Sequence, residues 1–228
     1  MGTLVTVITP TYNSQKFIRQ TYESLFKQSY KEWEWIVVDD CSNDDTLKIL
    51  ETISLLDIRV RVYSNTVNSG AAVSRNKAIE VAKGDFIAFL DSDDMWLDTK
   101  LETQLKFMMA NDVAFSYMPY QVVNEFGNKV GARSVPSRLN YTDLLKKPSI
   151  GCLTAMYSVK FLGKRYMPRI RKRQDLGLWL SILKTIDYAY AVDYELAQYR
   201  VHSGSISSNK ISAAQFTWNL YRNVEKMG

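Results

Sequence analysis

An α/β fold on a mostly parallel sheet is predicted by three observations. Apolar, β-branched runs alternate with helical periods through roughly the first 118 residues. Three of those runs end in polar clusters: Thr9-Pro10-Thr11-Tyr12-Asn13, Asp39-Asp40 and Asp91-Ser92-Asp93-Asp94. No Gly/Pro-rich linker divides the 228 residues. Alternation of this kind favours a parallel sheet with helices on both faces. Ligands of such sheets bind outside the carboxyl ends of the strands, so the three clusters are expected on one rim. The chain reads as a single domain, 1–228, with halves at 1–118 and 119–228.

Each element has its own signal. "TLVTVITP" is a buried strand of β-branched residues. "NSQKFIRQTYESLFKQS" repeats Phe17, Tyr22, Leu25 and Phe26 near helical spacing, with Ser14 as its expected cap. "WEWIVVDD" is a second strand, and "NDDTLKILETISLL" a helix with Asp44 or Asp45 at its start, where negative charge suits the dipole. "RVRVYSN" alternates like a strand. "NSGAAVSRNKAIEVAKG" is a loop, then a helix with Gly84 as its stop. "DFIAFLDSDD" is a strand, "DTKLETQLKFMMAND" a helix and "VAFSYMPY" a strand. Beyond these lie a turn in "NEFGNKVG" and a short helix in "NYTDLLKKP". They are followed by an apolar run, "CLTAMYSVKFL", and a helix in "QDLGLWLSILKTI". Two strands in "YAYAVDYELAQYRVHSGSIS" and a terminal amphipathic helix in "ISAAQFTWNLYRNVEKM" complete the chain.

The hydrophobic fraction of 46% and charged fraction of 23% are those of a globular protein. The net charge of +5 is unevenly placed. Residues 1–120 carry 12 Lys/Arg against 17 Asp/Glu; residues 121–228 carry 17 against 7. One half suits a cation and the other faces something anionic. Cys41 and Cys152 lie far apart without a Cys-x-x-Cys pattern, which reads as two free thiols in a reducing compartment. No apolar run approaches the ~18 residues of a membrane span.

The cluster after Phe86–Leu90 asks why a buried strand should run into crowded carboxylates. Like charges raise one another's pKa unless a cation intervenes. Asp at a strand end is also ordinary turn chemistry. Hard oxygen ligands with open positions suit Mg or Mn, which take one or two protein carboxylates and leave the remainder to water and phosphates. An acid in the Asp39-Asp40 pair can accept from a base or ribose. Tyr12 offers a stacking face, and Arg75, at a helix start preceded by Gly70, can approach a phosphate. Each has a second reading: Tyr12 as packing, Arg75 as partner of a surface acid, Asp44 and Asp45 as helix caps. The chain lacks G-x-G-x-x-G and G-x-x-x-x-G-K-[ST], so neither fingerprint supports a dehydrogenase or P-loop enzyme. His202 is the single histidine, which excludes a His-rich zinc cluster. The run Lys164–Arg173 packs six cations into ten residues with only Tyr166 interleaved, a weak match to nucleic-acid binding.

Together these motifs resemble the family 2 glycosyltransferases, from about Val5 to Ser208. "VTVITPTYN", "WIVVDDCSNDDT" and "NSGAAVSRNKAIEVAKGDFIAFLDSDDMW" are similar to the family's nucleotide loop, second strand and D-x-D strand in order and spacing. The resemblance implies a GT-A fold, a Rossmann-related, mostly parallel sheet flanked by helices with a smaller acceptor-side region. It implies that Asp91 and Asp93 hold a diphosphate through Mg or Mn. Asp40, Tyr12 and the Pro10 backbone would hold the base, with Asn68 and Arg75 near the nucleotide. In "RQDLGLWLSIL", Asp175 would be the catalytic base, with Gln174 where the family commonly has Glu. His202, in "YRVHSGS", would touch metal or diphosphate. The implied activity is inverting transfer from a nucleoside-diphosphate sugar, by default a UDP-sugar, to a glycan or lipid-diphosphate-linked acceptor. The implied place is the cytoplasm at the inner membrane face, with residues 164–173 against the leaflet and no nucleic acid as partner. Two alternatives share the rim: a sugar-nucleotide nucleotidyltransferase and a non-catalytic nucleotide-binding module.

Overall fold

The computed structural model describes residues 2–202, 216–218 and 220–225. Strands β1 (Val5–Thr11), β2 (Trp33–Asp39), β3 (Val60–Ser64) and β4 (Phe86–Phe89) alternate with helices α1 (Ile18–Phe26), α2 (Thr46–Leu56) and α3 (Ala71–Val81). After a short β5 (Met95–Trp96) come α4 (Lys100–Ala110), β6 (Phe115–Tyr117), β7 (Tyr120–Val123), β8 (Lys129–Arg133), β9 (Arg138–Leu139) and α5 (Tyr141–Lys146). A 3-10 turn at Cys152–Thr154 leads into β10 (Met156–Ser158) and α6 (Val159–Leu162). The remainder is α7 (Gln174–Leu183), β11 (Ala189–Ala191), β12 (Ala197–Arg200) and a π-helical turn at Leu220–Val224.

Eight strands form one sheet in the order β3-β2-β1-β4-β10-β6-β11-β9. β1, β2, β3 and β4 are parallel, while β10 runs against both β4 and β6. β11 is parallel to β6, and β9 opposes it. The expected mostly parallel α/β sheet is therefore present. A second sheet, β5-β12-β7-β8, is the smaller region. Strand alternation sorts the core into two layers. Ile8, Ile36, Val38, Ile87 and Phe89 pack with α3 and α7. Val7, Trp35, Val37 and Ala88 pack with α1, α2 and α4 on the other face.

Several local expectations change. "VAFSYMPY" is not one strand: β6 stops at Tyr117 and β7 begins at Tyr120 in the other sheet, because Pro119 between them has no N–H to donate. Ser14 does not cap α1 with its side chain. Its carbonyl accepts from Phe17 N and Ile18 N, while its hydroxyl meets Tyr12 O and Ser92 Oγ. Of the two acids expected at the start of α2, Asp44 serves it, accepting from Thr46 N at 3.0 Å two residues before the helix begins. Gly84 is no left-handed helix stop. A Cβ there would lie 2.5 Å from Thr6 N, so the glycine lets the chain cross β1 closely. The late loop after His202 and parts of the terminal segment, 211–215, 219 and 226–228, lie outside the described residues.

Candidate active site

β1, β2 and β4 end together. Thr11 pairs with Asp39, and Leu90 N donates to Ile8 O. The three polar clusters therefore share one rim. Tyr12 stands 46% exposed there, a ring face open to a ligand, above a buried Pro10. Thr11 Oγ1 is buried without a hydrogen-bond partner.

The two acids closing β2 take separate tasks. Asp39 closes a turn, accepting from Ser42 N at 3.0 Å. Asp40 latches the loop before α3: its carboxylate accepts from Asn65 Nδ2 (2.7 Å), Ser69 N (2.9 Å) and Gly70 N (2.7 Å). A carboxylate has about four lone-pair sites, so these three bonds leave one of them. Asn68 joins the same loop through Nδ2 to Asp40 O at 3.2 Å.

Arg75 is buried and pairs with Asp91 across the rim. Burial works against its charge, yet Asp91, then Cys152 and Asp175, raise its pKa. That set brings the two halves of the chain together. Asp175 sits in the first turn of α7, where the helix dipole favours its anion. Burial nevertheless pushes its pKa up, with Asp91 adding to the rise, while Arg75 and the Leu176 N–H oppose it. Pro168 packs on Gly177, where a Cβ would lie 2.5 Å from its ring, and this contact fixes the α7 entrance two residues beyond Asp175. Gln174 Oε1 is buried there without a partner.

The D-x-D segment itself is held from behind. Asp93 Oδ2 lies 3.0 Å from His202 Nε2, whose ring packs on Phe17 at 4.9 Å between centroids. Burial and Asp91 raise the Asp93 pKa, and His202 opposes them. Asp94 points inward. It is 1% exposed, its Oδ1 accepts from Arg200 N at 2.9 Å, and its Oδ2 has no partner. Burial first, then Asp93 and Asp91, push it well above the usual carboxylate range. The three acids are thus one ion-paired rim acid, one beside histidine and one buried.

Sequence reasoning passed over Arg200 and Thr21. Arg200 is fully buried and donates to Asp93 O (2.7 Å), Glu125 O (2.7 Å) and Gln20 Oε1 (2.8 Å), with its guanidinium 4.7 Å from the Phe17 ring centre. Thr21 Oγ1 donates to Ser92 O and Asp94 O. The only sequence signal was position, since Arg200 lies two residues before His202. Arg200→Met leaves two carbonyls without donors and is expected to cost about 1–3 kcal/mol, read from the denaturant midpoint.

Asp91, Asp93 and His202 fit a hard divalent cation. They supply two carboxylates and one imidazole, with Asp93 Oδ2 3.0 Å from His202 Nε2. Among the described residues no three His, Cys, Asp or Glu side chains converge in a ready-made cage. Mg and Mn use few protein ligands and suit such an open site.

Comparison with known proteins places the chain. The sequence profile of glycosyl transferase family 2 matches residues 6–166. The chain belongs to glycosyl transferase family 2. This family 2 transferase is 48% identical to TuaG of Bacillus subtilis over 98% of its own length and 89% of TuaG, whose name assigns it to teichuronic acid biosynthesis. It is 39% identical, over 95% of this chain and 85% of the relative, to WfgD of Escherichia coli. That protein is named as a UDP-Glc:α-D-GlcNAc-diphosphoundecaprenol β-1,3-glucosyltransferase. The structure of S. aureus TarS 1–349 with UDP-GlcNAc matches with a TM-score of 0.77 at 25% identity, over 96% of this chain and 66% of that one. PcManGT, a mannosyltransferase of Pyrobaculum calidifontis, shares the fold with a TM-score of 0.75 at 18% identity, over 98% of this chain and 64% of that one. The fold of the transferase is thus GT-A, as expected from its motifs. Among its described residues, no helix is long and apolar enough to cross a membrane.

Proposed function

We propose that this transferase moves a sugar from a UDP-sugar to a hydroxyl of a lipid-linked glycan, with inversion. The carrying observation is the chain of charge from Asp91, at the end of β4, through Arg75 to Asp175, at the start of α7. It puts a desolvated carboxylate beside the rim where the donor's diphosphate would lie. TarS, solved with UDP-GlcNAc, and WfgD, named for UDP-Glc and a diphosphate-linked lipid, support the donor and acceptor classes.

In this reading Tyr12 stacks on the base, which also meets the Pro10 backbone and the remaining acceptor position of Asp40. Asn68 and Arg75 keep the nucleotide loop and the diphosphate side in place. Asp93 with Asp91, and His202 beside them, would hold Mg or Mn, which when bound neutralises charge growing on the leaving diphosphate. Asp175 takes the proton of the acceptor hydroxyl as general base. The hydroxyl oxygen forms its bond to the anomeric carbon as the carbon–oxygen bond to the diphosphate breaks on the opposite face. Nucleoside diphosphate leaves, and the anomeric configuration inverts. Both halves, 1–118 for the donor and 119–228 for acceptor and base, act as a single domain.

The run Lys164–Arg173 precedes α7 and is tied to α3 and α6. Lys164 Nζ donates to Glu80 O at 2.6 Å and Arg165 Nε to Leu162 O at 2.8 Å, while Tyr166 is exposed. Cations here would draw the enzyme to the anionic inner leaflet, at roughly 1 kcal/mol each.

The test is product analysis with UDP-glucose or UDP-GlcNAc, Mn and a GlcNAc-diphospholipid. Release of UDP that depends on the acceptor is expected. Release of inorganic diphosphate instead would replace this reading with a nucleotidyltransferase.

A further inference from the structure

α7, which carries Asp175 in its first turn, is apolar on nearly every side. Seven of its ten residues are buried: Leu176–Leu180, Ile182 and Leu183. A helix of that kind needs cover on the face turned away from the sheet as well as on the face against it. Its start has no side-chain cap, and Arg173 before it stands in the left-handed region at φ 64°. An uncapped first turn depends on what packs against it. Trp179 faces the sheet, on Phe89 and Phe115, so Gly177, two residues earlier, lies on the opposite side of the helix. Asp175, four residues before Trp179, shares the Trp179 side. Glycine inside a helix is unfavourable by itself, which makes the contact at Gly177 informative.

The described residues of 216–225 follow α7 from one end to the other. Before the helix, Lys172 Nζ lies 5.2 Å from the Phe216 ring centre. At Gly177, a Cβ would lie 2.5 Å from the Pro168 ring and 3.1 Å from Leu220 Cδ1, so two segments close on the glycine at once. Leu220 is fully buried. Past the helix, Lys184 Nζ pairs with Glu225 at 2.7 Å, and the Glu225 carboxylate also accepts from Tyr141 OH on α5. Tyr221 OH donates to Leu145 O at 2.6 Å, which ties the segment to α5 a second time. Glu225 and Tyr221 thus anchor the segment, and Leu220 presses on the first turn from behind the acid.

We propose that Leu220 is a positioning residue for sugar transfer. By closing on Gly177 it holds the first turn of α7, and with it Asp175, where the acceptor hydroxyl can be deprotonated. The inference rests on Asp175 as the base proposed above. It concerns turnover and not donor binding, because the proposed nucleotide contacts lie on other elements. Misplacing a reacting group by about 1 Å can cost on the order of 10²-fold in rate.

The experiment is steady-state kinetics of acceptor-dependent UDP release, in the assay above, each protein well below its melting temperature. The proteins are the 228-residue wild type, Leu220→Ala, Leu220→Met and Leu105→Ala. For Leu220→Ala, kcat should fall about tenfold or more, with KM for the UDP-sugar and the melting shift with UDP as in wild type. Leu220→Met nearly conserves volume and should recover most of the rate. Leu105→Ala opens a similar cavity under α4, on the other face of the sheet, and should lower Tm while keeping kcat. A wild-type kcat in Leu220→Ala would overturn the inference. So would an equal loss in Leu105→Ala, or a loss carried by KM for the donor. Should Leu220→Ala fail to fold, Leu220→Val carries the same comparison. Failure of the base assignment has a different signature: Asp175→Asn would then transfer at the wild-type rate.

Discussion

Replacing Asp175 by Asn is expected to reduce sugar transfer by roughly 10²–10⁴-fold, the usual worth of a positioned general base. Asn keeps the size and the acceptor oxygen that meets the Leu176 N–H. Nucleotide binding, measured as the melting shift with UDP, should be retained because the nucleotide contacts lie on other strands. Transfer by the Asn variant at the wild-type rate would show that the base is another group. The pH dependence carries a second check. The base works ionised, and burial raises its pKa. Activity of the wild type should therefore fall with decreasing pH at values above the ordinary carboxylate range near 4. The stability effect has the opposite direction. A carboxylate with a raised folded pKa favours the folded state fully below its unfolded pKa, and that contribution is lost as pH rises through the folded value. Asp175→Asn should accordingly be at least as stable as wild type at pH 7, with the difference shrinking toward pH 4. A variant that is less stable at pH 7 than at pH 4, relative to wild type, would contradict a desolvated Asp175.

Asp93→Ala is expected to abolish the cation-dependent part of nucleotide binding. A ligand at about 100 times its Kd stabilises the native state by about 2.7 kcal/mol, which for a chain of this size raises Tm by roughly 5–10 °C. With UDP and Mn, wild type should show that rise and Asp93→Ala should not. The same melts with dTDP and GDP name the donor class by which nucleotide shifts Tm. No shift with any of the three would remove the nucleotide site from the rim. A shift equal in wild type and variant would remove Asp93 from it.

The two outcomes depend on residues whose legibility differed. β1, β2 and β4 could be read because apolar runs with polar ends are a local signal, and their parallel order made the rim follow. Asp91 and Asp93 were visible for the same reason, and Asp175 by its resemblance to a known motif. What escaped depends on contacts between residues far apart in sequence. β10 reads as an apolar run, and nothing in "AMYSVKF" states that it inserts backwards between β4 and β6. Pro119 sends β7 to another sheet, which depends on a partner strand, β12, almost eighty residues later. Arg75 could be matched to a surface acid or to a phosphate from sequence, and only the fold pairs it with Asp91. Asp94 reads as part of a rim cluster and Arg200 carries no signal of its own; both are buried, each bonded to a partner more than a hundred positions away.

That buried arginine bears on temperature. The D-x-D loop is bonded to Arg200 and Thr21 by contacts within the chain, so its order is set once, during folding, and not again at each turnover. Without Arg200, ordering the loop becomes part of every binding event and its unfavourable entropy grows with heat. The affinity of Arg200→Met for UDP should then fall more steeply on warming than that of wild type. On the proposed reading, the support behind the acids would set how warm the rim can become and still hold a nucleotide.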